Sequence, residues 1–557
     1  MLSANSPGGG SRRGSVRHRR DAGWQSAGGA AERTVGYGRG IRKHTRAREE
    51  TRMDPEVLVV GAGPTGLTTA LELARRGIGV RIIDRAATPN TQTRALGVQA
   101  RTLELFARTG VTDELLARGL RADRFNVFSE GRRILRADFS GLPTQYPFLL
   151  MVPQNEVEDV LMGALARFGV TVEREVELTA LTPSIDGVTA TVTYGEHPAD
   201  ARTYPWIIGA DGAHSTVRSL LGVGFLGSAF DEHFAVADLR VDWDRPPTEF
   251  FAFLNRGRFA AFFPMLGGWH RVAIARPAGE EGWERGSVPT EDLQAAVDTI
   301  VPGRPQIVEV RESGRFRINQ RRAAAHRAGR VFLAGDAAHI HSVIGAQGMN
   351  TGIQDAVNLA WKLADVIHAD AHAGLLDSYE AERAPVAARL VKGTRAVTRM
   401  TLLRNPIALA ARRTVAPRIL GRPHTQRALT RAVSQLDVSY HDARGAAPAG
   451  RAAVGDRAPD ADAGGRRLHE LLDPVGFTLL EFGTDTAATT GLALPGSAAV
   501  VRVPDASQAS AAYGITDPTF VLVRPDGYIA ARGGAEEIRR YVTSRARIVA
   551  ESSRGMR

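Results

Sequence analysis

Residues 56–84 read EVLVVGAGPTGLTTALELARRGIGVRIID, and this stretch decides the fold. Val57 to Val60 form a continuous apolar run, the pattern of a strand buried on both faces of a parallel sheet. Gly61, Gly63 and Gly66 then spell G-x-G-x-x-G. The first Gly allows a tight turn, the second lets a pyrophosphate approach the backbone, and the third lets helix and strand pack closely. Pro64 suits a first helical turn, and Leu67, Ala70, Leu71 and Ala74 share one helical face that Gly77 terminates. The unpaired amides at that helix start favour a phosphate. A second apolar strand, Val80 to Ile83, ends in Asp84, eighteen residues after Gly66 and placed to accept from an adenosine ribose hydroxyl. The unit predicts a dinucleotide, and at this point does not say which one.

Gly222, Gly224 and Gly227 repeat the spacing but follow a helix-like RSLL, so they are read as a decoy. Two further apolar runs end as the first does. Pro205 to Ala210 stops at Asp211-Gly212, and Arg330 to Ala334 stops at Gly335-Asp336. The second of these leads to a Gly-rich turn, Gly345 to Gly348, and a helical face traced by Ile353, Val357, Ala360, Ala364 and Ile367. Ligands of open α/β sheets gather where strands end, so three such turns point to one crevice. Arg94 and Arg101 follow the first unit as candidate pyrophosphate clamps, with solvated helix charges as the alternative. Pro153-Gln154 opens a helix and is readable as a cap, while Asp186-Gly187 signals a hairpin.

At 557 residues the chain is long enough for about three domains. It has no cysteine, hence no disulfide, thiolate nucleophile or Cys-ligated metal, which is compatible with a reducing, cytoplasmic location. No run of eighteen apolar residues occurs, so no membrane span is predicted. Residues 1–52 hold 12 of the Lys and Arg against 4 Asp and Glu, contributing +8 of the net +11 and leaving +3 elsewhere. A nucleic-acid partner is therefore not expected of the folded part. The leader is disordered by composition, and the native protein is expected to begin at Met53. Mass spectrometry that finds native peptides upstream of Met53 refutes this.

The set GAGPTG, GADGAHSTVR and GDAAHIHSVIGAQGMNTGIQDAVNLAWKLA resembles the single-component FAD-dependent aromatic hydroxylases, most closely the branch of phenol and polyketide hydroxylases. The likeness covers about residues 54–400 and implies an α/β fold: a Rossmann-like FAD-binding domain of the GR2 type, a β-sheet substrate domain and a thioredoxin-like C-terminal domain. It implies FAD held by Gly61, Gly63, Pro64, Thr65 and Gly66 at the pyrophosphate and by Asp84 with Arg85 at the adenosine end. By the same resemblance Arg101 contacts pyrophosphate, Gln154 the flavin chain, and Asp336 the ribityl hydroxyls. Gly345, Gly348, Met349 and Asn350 bring backbone to the ring, and Asp211 serves both FAD and the nicotinamide donor. Arg218 is a candidate for NAD(P)H phosphate, a helix-surface ion pair being about equally compatible. Relatives often carry Pro where Val343 stands, which bears on the oxygen-reactive pocket and not on flavin binding.

The implied activity is monooxygenation: NADPH or NADH reduces FAD, O2 adds at flavin C4a, and the hydroperoxide passes one oxygen to a phenolic or polyketide-type ring. No catalytic side chain is assigned. His339 and His341 lack a third ligand nearby, so no metal is expected. Nine of the twenty Phe fall between Phe225 and Phe263, either lining an aromatic pocket or forming the smaller domain's core. The expected domains are 54–225 with 320–400 for FAD, 226–319 for substrate, a helical segment 401–445, a linker 446–464, and 465–550 thioredoxin-like without thiols. The Arg-studded helices from Leu390 to Arg431 read as solvated, with a membrane-surface or subunit face as the alternative. The C-terminal domain is expected to serve packing or assembly, and a homodimer is compatible with the sequence. The rival readings are a two-nucleotide reductase, a flavin halogenase or Baeyer–Villiger oxygenase on the same scaffold, and a flavoprotein that holds an aromatic ligand without turnover.

Overall fold

In the computed structural model, residues 55–89, 95–195, 197–229, 232–277, 286–316, 319–341, 347–441, 452–483, 494–495, 498–505 and 507–552 are described. The leader, Arg94, Val343, Gly345 and the first part of the expected linker lie outside them.

The run Val57–Val60 is a strand, β1, followed by helix α1 at Pro64–Ala74 and strand β2 at Val80–Asp84. Helix α2 spans Ala100–Ala107, and strands β3 (Trp206–Gly209) and β4 (Val331–Leu333) complete the centre. β1 pairs in parallel with β2 on one side and β3 on the other, and β4 lies beyond β3. Val172–Arg174 extends the sheet past β2. The chain thus moves outward from β1, then returns to its other side, creating the switch point at which carboxyl strand ends leave a crevice.

The unbroken apolar run in β1 has a simple cause, since each face has its own cover. Val57 and Val59 join α1, the helix Gln154–Ala166 and the helix α3 (Gly348–Ile367) in one core. Leu58 and Val60 pack against Leu178, Val188, Ala190 and Val192 of an antiparallel three-stranded layer, whose hairpin closes at the expected Asp186-Gly187 turn. Each such side chain contributes roughly 1.5–3 kcal/mol on burial. Helix α3 is buried on nearly all sides from Asn350 to Ala364, and helix α4 (Asp377–Thr401) follows it.

The second sheet has seven strands in the order 306–316, 233–242, 270–276, 258–264, 249–255, 124–129, 132–138. Here the expected boundary of 226–319 needs correcting, because Arg124–Ser129 pairs in parallel with Glu249–Asn255 and closes an edge that would otherwise lie open. Side chains alternate between its faces. Phe251, Phe253 and Phe262 are core beneath the helix Thr290–Ile300. Phe125, Phe250 and Phe263 stack on the opposite face, with centroids 4.1 and 5.6 Å apart. The decoy glycines serve a ladder: a Cβ on Gly227 would lie 2.0 Å from the Gln320 carbonyl oxygen across the pair Phe225–Ala229 with Asn319–Ala323.

Four strands ordered 499–503, 478–482, 519–523, 529–533, the first pair parallel and the others antiparallel, carry the helices Gln508–Tyr513 and Ala535–Ser552. This is the thioredoxin arrangement without its cysteines. The second half of the expected linker belongs to this domain, because Ala452, Ala458, Ala461 and Ala463 are buried in its core.

Candidate active site

Three turns meet at the carboxyl ends of the central strands. Gly61 has φ +101°, and a Cβ there would stand 2.4 Å from the Ala210 carbonyl oxygen and 2.7 Å from the Asp211 Cα, so the first and second motifs touch. Thr65 brings in the third: a Cβ on Gly335 would come 2.5 Å from its Oγ1, and one on Gly352 2.3 Å. Only hydrogen at these positions lets the backbones approach. Gly66 is equally constrained, since a Cβ there would stand 1.9 Å from the Gly61 oxygen, whereas Gly63 faces open space. Pro64 occupies the first turn of α1, whose start has no side-chain cap. A cavity of about 180 Å3 lies here, lined by Gly61, Gly63, Asp84, Arg85, Asp211 and Gly212 among others.

The acids are arranged by backbone amides. Asp84 accepts from the Ala62 amide (2.7 Å) and the Ala86 amide (2.8 Å), which fixes its carboxylate at the cavity wall beside the exposed Arg85. Asp211 accepts from the Val217 amide at 3.1 Å through Oδ2. Its Oδ1 is buried without a partner among the described residues, and burial raises the carboxyl above its ordinary range despite hydrogen bonds from Ser215 and Val217. A buried acceptor of that kind, beside an uncapped helix start and an open glycine face, fits the hydroxyls and phosphates of FAD. Asp336 is exposed on the single turn Gly335–Ala337. Gly348 begins α3, which also has no side-chain cap, and Met349 packs on the central core. Asn350 sews this start to strand Gly97–Val98, accepting from the Gln99 amide and donating to the Gly97 carbonyl, both at 2.8 Å.

Two expected contacts go elsewhere. The Arg101 guanidinium turns away from the glycines; it pairs with Glu104 at 3.0 Å, donates to the Asp526 carbonyl at 2.6 Å and lies over the Tyr528 ring. It belongs to the seam with the C-terminal domain, because the second residue of α2 faces that side. Arg218 is buried, donating at 2.9 Å to the Ala337 and Ala213 carbonyls and covering Phe225 at 3.8 Å. It clamps the second turn to the third instead of offering a free cation to a phosphate. The Gln154 amide group donates to Glu158, one turn along its own helix.

Sequence reasoning passed over Asp355. Its Oδ2 accepts from the Gly335 amide (3.1 Å) and meets His339 Nε2 (2.6 Å), while Oδ1 accepts from Arg383 (2.6 Å). Burial alone would raise its carboxyl, but Arg383 and His339 outweigh that and hold it well below the usual range. A carboxylate in the middle of a helix otherwise expected to be buried was the available signal. His339 is thus a hydrogen-bond partner of Asp355, and among the described residues no cluster suits a metal.

Burial also holds His326 and His469 down to about 4, from an ordinary 6.5. An unfolded chain takes up protons near 6.5 that these folded imidazoles refuse until about 4. Stability is therefore expected to fall as pH drops through that window. Thermal unfolding followed across it, with His326→Gln giving a shallower slope, checks this; a flat profile contradicts it.

Residues 54–394 match the family model described as FAD binding domain, and 451–551 that described as aromatic-ring hydroxylase, C-terminal. The chain is 36% identical over 516 residues to the 6-methylpretetramide 4-monooxygenase of Streptomyces rimosus, covering 86% of this chain and 91% of that one. Among solved structures, the anhydrotetracycline hydroxylase OxyS from Streptomyces rimosus has TM-score 0.72 at 34% identity, over 87% of this chain and 96% of its own. Aklavinone-11 hydroxylase, solved in a ternary complex with FAD and aklavinone, has TM-score 0.69 at 25% identity, over 89% and 99%. Among the described residues no helix is long and apolar enough to cross a membrane. With the three turns brought together and the likeness running through both ends of the fold, this chain belongs to the FAD-dependent aromatic-ring hydroxylases.

Proposed function

We propose that this chain inserts one atom of O2 into a phenolic, polyketide-type ring, with NADPH or NADH as electron donor. The stack of Phe125, Phe250 and Phe263 supports this best. It stands on the sheet face that shares a core with Leu96, Ala100, Leu149 and Met151, next to the strand that Asn350 joins to the start of α3. Flat apolar rings on the cofactor side suit a flat aromatic guest. Relatives named for 6-methylpretetramide and anhydrotetracycline favour a polyketide-type ring.

FAD, when bound, supplies the electron transfer and the activation of oxygen. The chain's own residues orient it. In this reading the backbone of Gly61, Gly63 and Gly66 and the start of α1 take the pyrophosphate, with Pro64 and Thr65 shaping the turn. Asp84 and Arg85 take the adenosine end, Gln154 and Asp336 the flavin chain, and Asp211 a hydroxyl facing its buried Oδ1. The main chain at Gly348, Met349 and Asn350 presents the positive end of α3 to negative charge on the ring.

The test supplies candidate phenols with NAD(P)H and follows both oxidation of the donor and product mass. A substrate-stimulated rate and a product heavier by one oxygen atom are expected. An ester or lactone product by NMR indicates Baeyer–Villiger chemistry, and no stimulation by any aromatic leaves a binding protein.

A further inference from the structure

From Arg383 to Leu436 the chain holds twelve Arg and Lys and no Asp or Glu. The remainder downstream of the leader is net negative, so the positive charge of the folded part is concentrated here. The stretch forms the end of α4 and the helices Pro406–Leu420 and Pro423–Val433. Three of its cations are used internally: Arg383 on Asp355, Arg412 on Ser129 Oγ and the Met400 carbonyl, and Arg389 on the Ser439 carbonyl. The other nine, Lys392 and Arg395 through Arg431, are exposed, and none has a carboxylate within ion-pair distance among the described residues.

Large apolar side chains stand out among them. Ile407 is 79% exposed, Met400 57%, Val397 49%, and Val415 and Ile419 48% each. Ile407, Val415 and Ile419 follow the four-residue step along one side of their helix, with Arg418 among them. Cations flanking projecting apolar groups, without an acid, suit one kind of surface: headgroups take the charges while the apolar tips enter the acyl boundary. A nucleic acid has no use for the apolar tips. A second copy applied face to face would set these cations against each other.

We infer that these helices are a docking surface for an anionic lipid bilayer. Arg412 pins them to the substrate sheet at Ser129 (3.0 Å), so a docked enzyme holds that domain at the membrane. Taking up a lipophilic ring directly from the bilayer is a consequence that rests on the proposed function; docking itself does not.

The test is co-sedimentation of the full chain with vesicles of phosphatidylcholine and phosphatidylglycerol in equal parts, against phosphatidylcholine alone. The chain is expected to prefer the anionic vesicles and to be released by salt. Replacing Arg413, Arg418 and Arg422 together by Gln is expected to weaken binding on the order of 100-fold. The same three changed to Lys should retain it, and Ile407→Asp should lower it at unchanged flavin content. The basic leader is common to every variant, so only differences count. Equal binding to both vesicle types, undiminished binding by the Gln and Asp variants, or preferential capture by polyglutamate overturns the inference.

Discussion

A Gly63→Val protein is expected to fold, and to melt like its flavin-stripped parent, yet emerge from purification colourless, with hydroxylation down at least about 100-fold. Gly63 has φ −76° and ψ −179°, extended backbone that any residue adopts. A Cβ there meets no protein atom within 4 Å. The added side chain therefore competes only with whatever fills that space, which the family assignment makes the FAD pyrophosphate. Gly61→Val is the contrasting case, because its φ of +101° and the Ala210 oxygen 2.4 Å away strain the protein itself. Strain and overpacking together are expected to cost about 2–6 kcal/mol, so both flavin and stability should be lost. Flavin absorbance per protein and thermal unfolding separate the two variants. A yellow Gly63→Val protein would remove the pyrophosphate from this turn.

Cutting the chain at Ala446 is expected to abolish soluble, flavin-bound protein altogether. The C-terminal domain supplies Arg457 to the buried Glu104 (2.8 Å), and the Asp526 carbonyl and Tyr528 ring to Arg101. It also supplies Arg524 to Glu382 (2.7 Å), the partner of the buried Lys362, and covers Trp361 with Phe477. Burial alone would raise Glu104, but Arg457, His469 and Arg101 hold it below the ordinary carboxylate range. Leaving one such charge without its partner costs about 3–5 kcal/mol, and losing several at once exceeds the whole stability of a typical protein. Arg457→Met alone should lower the unfolding midpoint, and adding Glu104→Gln should restore part of it. A soluble truncated protein that still takes up flavin would show that this seam is dispensable.

What was legible in the sequence followed from local rules. The strand, turn and helix of the first unit needed only the apolar run, the glycines and Asp84, because backbone geometry dictates those residues one by one. The meeting of the Asp211 turn with Gly61 and of the Gly335 turn with Thr65 followed from strand ends in an open sheet. The partners of Arg101 and Arg218 were not legible, since a guanidinium reaches several ångströms and its target depends on which domain lies opposite. Asp355 was missed for the same reason: its pairs with His339 and Arg383 join one helix to two other elements. The buried second half of the expected linker was hidden by composition, as alanines fit a loose tether and a tight core equally well. Among the phenylalanines, alternation between faces separates Phe250 from Phe251, but only the position of the helix Thr290–Ile300 says which face is covered.

The parallel strand Arg124–Ser129 has a practical corollary for anyone transplanting specificity between members of this family. It lies about a hundred residues upstream of the sheet it completes, and it carries Phe125, one third of the aromatic wall. A graft of residues 226–319 alone would leave the recipient's own strand wedged beside foreign neighbours. Chimeras should therefore exchange 124–138 along with the later segment, and shuffled libraries that ignore this pairing will be dominated by mismatched edges.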